Sequence, residues 1–105
     1  MTTQENTGPI GTRVLYEDDR VRVWDMTLEP GTDSGRHRHD NPYVIVMIEG
    51  DTIALNEHIT HSGSPGGYRQ AAVEVGRAIT LPAGGEETAI NVGATRYRDI
   101  QIELL

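Results

Sequence analysis

Turn-forming residues interrupt this chain so often that no stretch is left for a long amphipathic helix. Glu29-Pro30-Gly31-Thr32-Asp33, Glu49-Gly50-Asp51, the Gly-rich segment 62–67 and Gly76 divide it into short runs. Those runs carry Val, Ile, Thr, Tyr and Trp, the residues that suit a pleated, half-buried surface. From Arg13 onward strands are expected near Arg20–Leu28, Arg36–Asp40, Tyr43–Ile48, Thr52–Asn56, Ala71–Val75, Ala78–Leu81, Thr88–Val92 and Tyr97–Leu104. In the last of these, Ile100, Ile102 and Leu104 share one face and Asp99, Gln101 and Glu103 the other, because side chains alternate along a strand. So many short strands without a helix predict an all-β fold, an antiparallel barrel or jelly roll. At 105 residues the chain has room for one domain. Residues 1–12, polar and containing Gly8, Pro9 and Gly11, read as a flexible tail whose end docks on the sheet, with the barrel over 13–105.

Composition narrows the function. Nine basic against sixteen acidic residues leave a formal charge of −7, which opposes nucleic-acid binding and anionic membranes. The absence of Cys removes disulfides, thiolate metal sites and a cysteine nucleophile. All nine cations are Arg, so no lysine can form a Schiff base or serve a phosphate-binding P-loop. The N-terminus lacks a basic start and an apolar run, so a cytoplasmic location is expected. The run Tyr43 to Ile48 does not alternate with polar residues. Such a strand is covered on both faces, and in so small a chain the second cover is expected from another copy, giving a homodimer.

Two spaced patterns carry the chemistry. The first runs Gly31, five residues, His37, one residue, His39, three residues, Tyr43, six residues, Gly50. The second runs Gly76, five residues, Pro82, one residue, Gly84, two residues, Glu87, three residues, Asn91. On a strand His37 and His39 project together, while Arg36 and Arg38 point away. Paired imidazoles suit Zn, Fe, Ni, Cu or Mn, according to the remaining ligands. Gly31 and Gly50 stand where the chain must turn sharply, and Tyr43 keeps the facing of His39 if no bulge intervenes.

In order and internal spacing these patterns resemble the two signature motifs of the cupin superfamily. Every motif position matches except two, where Tyr43 replaces the expected Glu and Glu87 the expected third His. The segment HRHDNPYVIV is also similar to small single-domain cupins, some of them assigned to β-alanine degradation. The resemblance implies a barrel that aims Glu87 opposite the histidines. His37, His39 and Glu87 would then form a two-histidine, one-carboxylate metal set of the kind found in non-haem Fe(II) oxygenases. Fe(II) or Mn(II) is favoured, with Ni, Zn or Cu as alternatives.

The function that follows is a metal-dependent enzyme acting on a small organic molecule, first by O₂-dependent oxidation. Tyr43 and Glu87 are the candidate catalytic residues beside the ligands. Two other readings stay open: proton-transfer chemistry without redox change, as in an isomerase, lyase or dehydratase, and a binding or sensing module without turnover. The residues themselves also allow plainer roles. Tyr43 can be a core aromatic, Glu87 a turn carboxylate beside Glu86, and His58 and His61 parts of a hairpin loop or a lid over the barrel mouth. Asp40 should face away from the cavity, and Trp24, Met26 and Met47 should be core or pocket wall.

Overall fold

The computed structural model describes residues 7–105. Every regular element among them is a strand: β1 (Arg13–Glu17), β2 (Val21–Leu28), β3 (His37–Arg38), β4 (Tyr43–Glu49), β5 (Thr52–Ile59), β6 (Tyr68–Ala72), β7 (Ala78–Leu81), β8 (Glu86–Asn91) and β9 (Tyr97–Leu104). They form two antiparallel sheets, one ordered β1-β2-β9-β4-β7 and the other β3-β8-β5-β6. This is the expected jelly-roll barrel. No helix among the described residues is long and apolar enough to cross a membrane.

The motif glycines explain why the chain can turn where it does. Gly31, Gly50, Gly76 and Gly84 all have positive φ, a region that costs a side-chain-bearing residue energy. At Gly84 (φ 109°) a Cβ would also stand 3.0 Å from the His61 carbonyl oxygen, so this turn admits no substitute. Asn91 closes the second motif by donating from Nδ2 to the carbonyls of Leu28 and Thr95, at 2.8 and 2.9 Å. It thereby ties the end of β2 to the β8–β9 turn.

The interior is a small core with a cavity above it. Met26, Leu28 and Tyr97 pack together with Ile53, Val73 and Ala89 against them. Among the described residues His37, His39 and Asn91 are the largest fully buried side chains, and Asp99 and Gln101 are buried on the cavity wall, which marks this part of the interior as a site rather than a packed core. β9 shows the same inversion. Its buried side chains are Tyr97, Asp99, Gln101 and Glu103, whereas Ile100 and Ile102 are half-buried and Leu104 is exposed. Ile100 and Ile102 lie beside Val46 and Val44 of β4, and Ile102 beside Val23 of β2. The five-stranded sheet therefore carries an apolar strip on the face turned away from the cavity.

Several strands differ from those expected: β1 is additional, and β8 begins at Glu86 instead of Thr88, which brings Glu87 into the ladder. β3 spans two residues because His39 leaves the ladder and bonds instead to the β7–β8 turn. β5 runs on to Ile59 and takes His58 with it. β6 begins at Tyr68, upstream of the apolar 71–75 run, since its register follows from pairing with β5. Of the N-terminal tail, residues 1–6 lie outside the described residues. Beyond them Gly8 bridges to His37, with its N–H 2.8 Å from the Arg36 carbonyl, and Ile10 is buried.

Candidate metal centre

Pairing of β3 with β8 sets His37 directly opposite Glu87 and Arg38 opposite Glu86. His39 follows one residue beyond β3, held by its N–H to the Gly85 carbonyl at 2.9 Å and by the Gly84 N–H to its own carbonyl at 2.7 Å. The second motif's turn thus holds the first motif's second histidine. Between His39 and Tyr43 the chain crosses to the other sheet, so the site lies where the two sheets meet.

His37, His39 and Glu87 converge, with one ligand atom from each lying within 4.8 Å of the others. Glu87 Oε2 is 3.6 Å from Nε2 of His37 and 3.6 Å from Nε2 of His39. Metal–nitrogen and metal–oxygen bonds of about 2.1 Å separate two tetrahedral ligands by about 3.4 Å, so this spacing suits a shared ion. The His37 Nδ1–H can donate to the Gly35 carbonyl at 3.1 Å, which leaves the Nε2 lone pair facing Glu87. Both nitrogens of His39 are buried and have no hydrogen-bond partner. An imidazole so stripped of water is costly, and an ion at Nε2 would compensate it. The residues present therefore fit a divalent transition metal.

Tyr43 is buried against this set. Its ring stacks on His39 with centroids 3.8 Å apart and planes 8° from parallel, while the His37 and His39 rings stand at 83°. The stack fixes the plane of an imidazole that has no hydrogen bond to orient it. Burial pushes the Tyr43 phenol up, with the nearby Glu87 charge adding to the effect. Burial alone would also raise the Glu87 carboxyl, but the two imidazoles outweigh it and hold the group at about 2.

The site opens into a cavity of about 220 Å³, lined among others by Met26, Ile45, Met47, Leu55, Leu81 and Tyr97. Met26 and Met47 are thus wall as well as core. Trp24 instead donates its indole N–H to Glu103 at 2.7 Å. His61 reaches the cavity wall from the β5–β6 turn, whereas His58 bonds Thr88 at 2.9 Å and is not among the lining residues. Asp40 is exposed and accepts from Arg38, away from the site.

Other charged residues were not apparent from the motifs. Glu57 stands opposite Glu87 on the ladder and is paired by Arg69 at 3.1 Å. Glu86 points away from Glu87, as strand alternation requires, yet it is buried and clamped by Arg36 and Arg38. Asp99 lines the cavity, accepts from the Tyr97 hydroxyl and from Gln101, and is pushed by burial up to about 6. Its signal in the sequence was the Tyr-x-Asp-x-Gln-x-Glu alternation of β9, read without knowing which face is inside.

Comparisons with known proteins agree with this architecture. No family model matches the chain. A β-alanine degradation protein, BauB, of Pseudomonas aeruginosa is 31% identical over 91 residues, covering 87% of this chain and 88% of that protein. Auxin-binding protein 1 of Arabidopsis thaliana is 29% identical over 90 residues, covering 85% of this chain but 43% of the plant protein. Among solved structures, a cupin domain from Bordetella pertussis Tohama I superposes with a TM-score of 0.75 at 29% identity, over 95% of this chain and 96% of that one.

Proposed function

This chain belongs to the cupins, and from that premise we propose that it is a metal-dependent enzyme that oxidises a small organic molecule with O₂. The observation that carries the proposal is His39, buried with both ring nitrogens unpartnered and with Nε2 aimed at a carboxylate that His37 shares. A divalent ion held by His37, His39 and Glu87 would supply Lewis acidity and, as Fe(II), one-electron chemistry toward O₂. The anionic oxygen of Glu87 favours Fe(II) or Mn(II) over the metals preferred by an all-histidine set.

The chain's own groups supply the rest. The Gly35 carbonyl fixes the His37 tautomer, and Tyr43 holds the His39 plane. Tyr43 keeps its proton at neutral pH and can donate a hydrogen bond to an oxygen of the bound substrate. Ile45, Met47, Leu55 and Leu81 give the cavity an apolar wall. Its volume lies below the roughly 300–1,000 Å³ of drug-sized pockets, which points to a small substrate. The Pseudomonas relative, named for β-alanine degradation, supports a small polar one.

Metal analysis of untagged protein, followed by anaerobic loading with Fe(II), tests this reading. About one ion per chain is expected, lost in the His37→Ala, His39→Ala double variant while the fold persists. Nitric oxide, standing in for O₂, should then give an electron paramagnetic resonance signal with the loaded parent. Stoichiometric metal in the double variant would remove these ligands from the site. A parent that takes up no metal would turn the reading to proton transfer among His37, His39 and Glu87.

A further inference from the structure

The metal set uses one wall of the cavity and leaves a second polar wall on β9 without an assigned task. Tyr97, Asp99 and Gln101 line it, each at most 4% exposed. Asp99 accepts the Tyr97 hydroxyl on Oδ2 and Gln101 Nε2 on Oδ1, the latter at 3.2 Å. No Arg or His forms an ion pair with Asp99 among the described residues, and His37 offsets the effect of burial only in part. Such burial is expensive unless a cation compensates.

Gln101 adds an independent observation. Its Oε1 is buried, belongs to a cavity-lining side chain, and receives no hydrogen bond. Exchanging its amide oxygen and nitrogen would not remove the problem, because oxygen would then face the Asp99 carboxylate. A native interior seldom leaves such an acceptor unmet. The wall therefore offers two acceptors, one of them anionic, while the two donors bonded to Asp99, the Tyr97 hydroxyl and the Gln101 amide, are already engaged.

We propose that this wall seats a primary ammonium group of the ligand, which donates to Asp99 and to the Gln101 carbonyl. The ammonium brings three donors and the missing positive charge together, whereas a hydroxyl brings one donor and no charge. Met26 and Met47, also on the cavity wall, would cover the adjoining methylene carbons. The assignment deepens the proposed function, resting on it only in taking the cavity as the ligand site. It names an amine as the substrate class and gives Asp99 and Gln101 the role of specificity residues.

The test uses n-propylamine, 1-propanol and propionitrile as matched probes, titrated into ¹⁵N-labelled protein both zinc-free and zinc-loaded. Protonated propylamine should shift the β9 amides and the Gln101 side-chain amide. It should bind roughly tenfold or more tightly than either neutral probe, the range of a charge-assisted hydrogen bond. Asp99→Asn and Gln101→Leu should each abolish that preference while the spectrum stays dispersed. Should Asp99→Asn fail to fold, Gln101→Leu alone decides. Equal binding of the three probes, or a preference unchanged in the folded variants, overturns the assignment. The imidazole ¹⁵N shifts of His37 and His39 on adding zinc report the metal centre separately. Amine preference without those shifts would sink the metal reading and leave the ammonium wall standing; the reverse pattern would sink the wall.

Discussion

Glu86→Ala tests whether the metal ligands depend on a residue that faces away from them. The Glu86 side chain is 6% exposed and accepts from Arg36 Nε at 2.9 Å and Arg38 Nη1 at 3.3 Å. Charge-assisted hydrogen bonds are worth about 1.5–3 kcal/mol each, which sets an upper bound of about 6 kcal/mol for the pair. The arginine side chains are 38% and 42% exposed, so both return to water when Glu86 is removed and no buried charge is stranded. The net cost should therefore be about 1–2 kcal/mol, between an exposed pair and a broken buried one. Apart from the single bridge to Gly8, β3 pairs with β8 among the described residues, through His37 opposite Glu87 and Arg38 opposite Glu86. Loosening the second pair should blur the first and weaken metal binding by about tenfold, as for other changes behind a ligand. Urea unfolding of metal-free protein gives the first quantity, and titration with Co(II) followed by its visible spectrum gives the second. A variant within about 0.5 kcal/mol of the parent, with unchanged Co(II) affinity, would show Glu86 to be an ordinary surface ion-pair residue.

Glu87→Ala should keep the fold and lose most metal affinity, and Glu87→His should restore binding with a preference moved toward Zn or Ni; equilibrium dialysis against mixed metals reads both, and parent-like affinity in Glu87→Ala would contradict ligation. Asp99 is raised to about 6 from 3.8, by burial first and by Asp25 in addition, against the lowering effects of Tyr97, Gln101 and His37. The folded state then binds the extra proton, so this group's contribution is fully present below pH 3.8 and is lost as pH rises through 6. Asp99→Asn should accordingly be more stable than the parent at pH 8 and lack this loss between pH 4 and 7 in thermal melts; parallel pH curves would refute it. Light scattering should give twice the protomer mass at micromolar concentration, because the outer strip of Val23, Val44, Val46, Ile100 and Ile102 is only half-buried among the described residues and a second copy would complete its cover. A protomer mass would reject this.

The sequence made the metal set legible because its determinants are local. Two histidines at i and i+2 share a face, and four motif glycines do adopt the positive φ that tight turns need. Glu87 could be aimed only through the family resemblance, since its register with His37 is a long-range fact. β9 shows where alternation stops being informative. It separates Ile100 and Ile102 from Asp99 and Gln101 without saying which pair is inside. The usual rule of apolar residues inward fails on β9, whose inner side is the polar wall of an otherwise largely apolar cavity and whose outer face is apolar. Glu86 was missed for a related reason. Arg36 and Arg38 had been placed on the outer face, but the countercharge that buries Glu86 between them depends on sheet pairing.

The brevity of β3 has a kinetic consequence. Two residues of ladder, a bridge to Gly8 and the contacts of His39 with the Gly84–Gly85 turn are what hold the histidines in place. Segments fastened by so few backbone bonds open far more often than the body of a barrel. An ion at His37 and His39 would leave through that local opening, at a rate set by the breathing of residues 36–40 and independent of global unfolding. Chelator-driven release should then accelerate in urea well below the unfolding midpoint, with the shallow denaturant dependence of a small exposed area. Deleting residues 1–8 should speed it further, because it removes the strand-like neighbour that steadies His37.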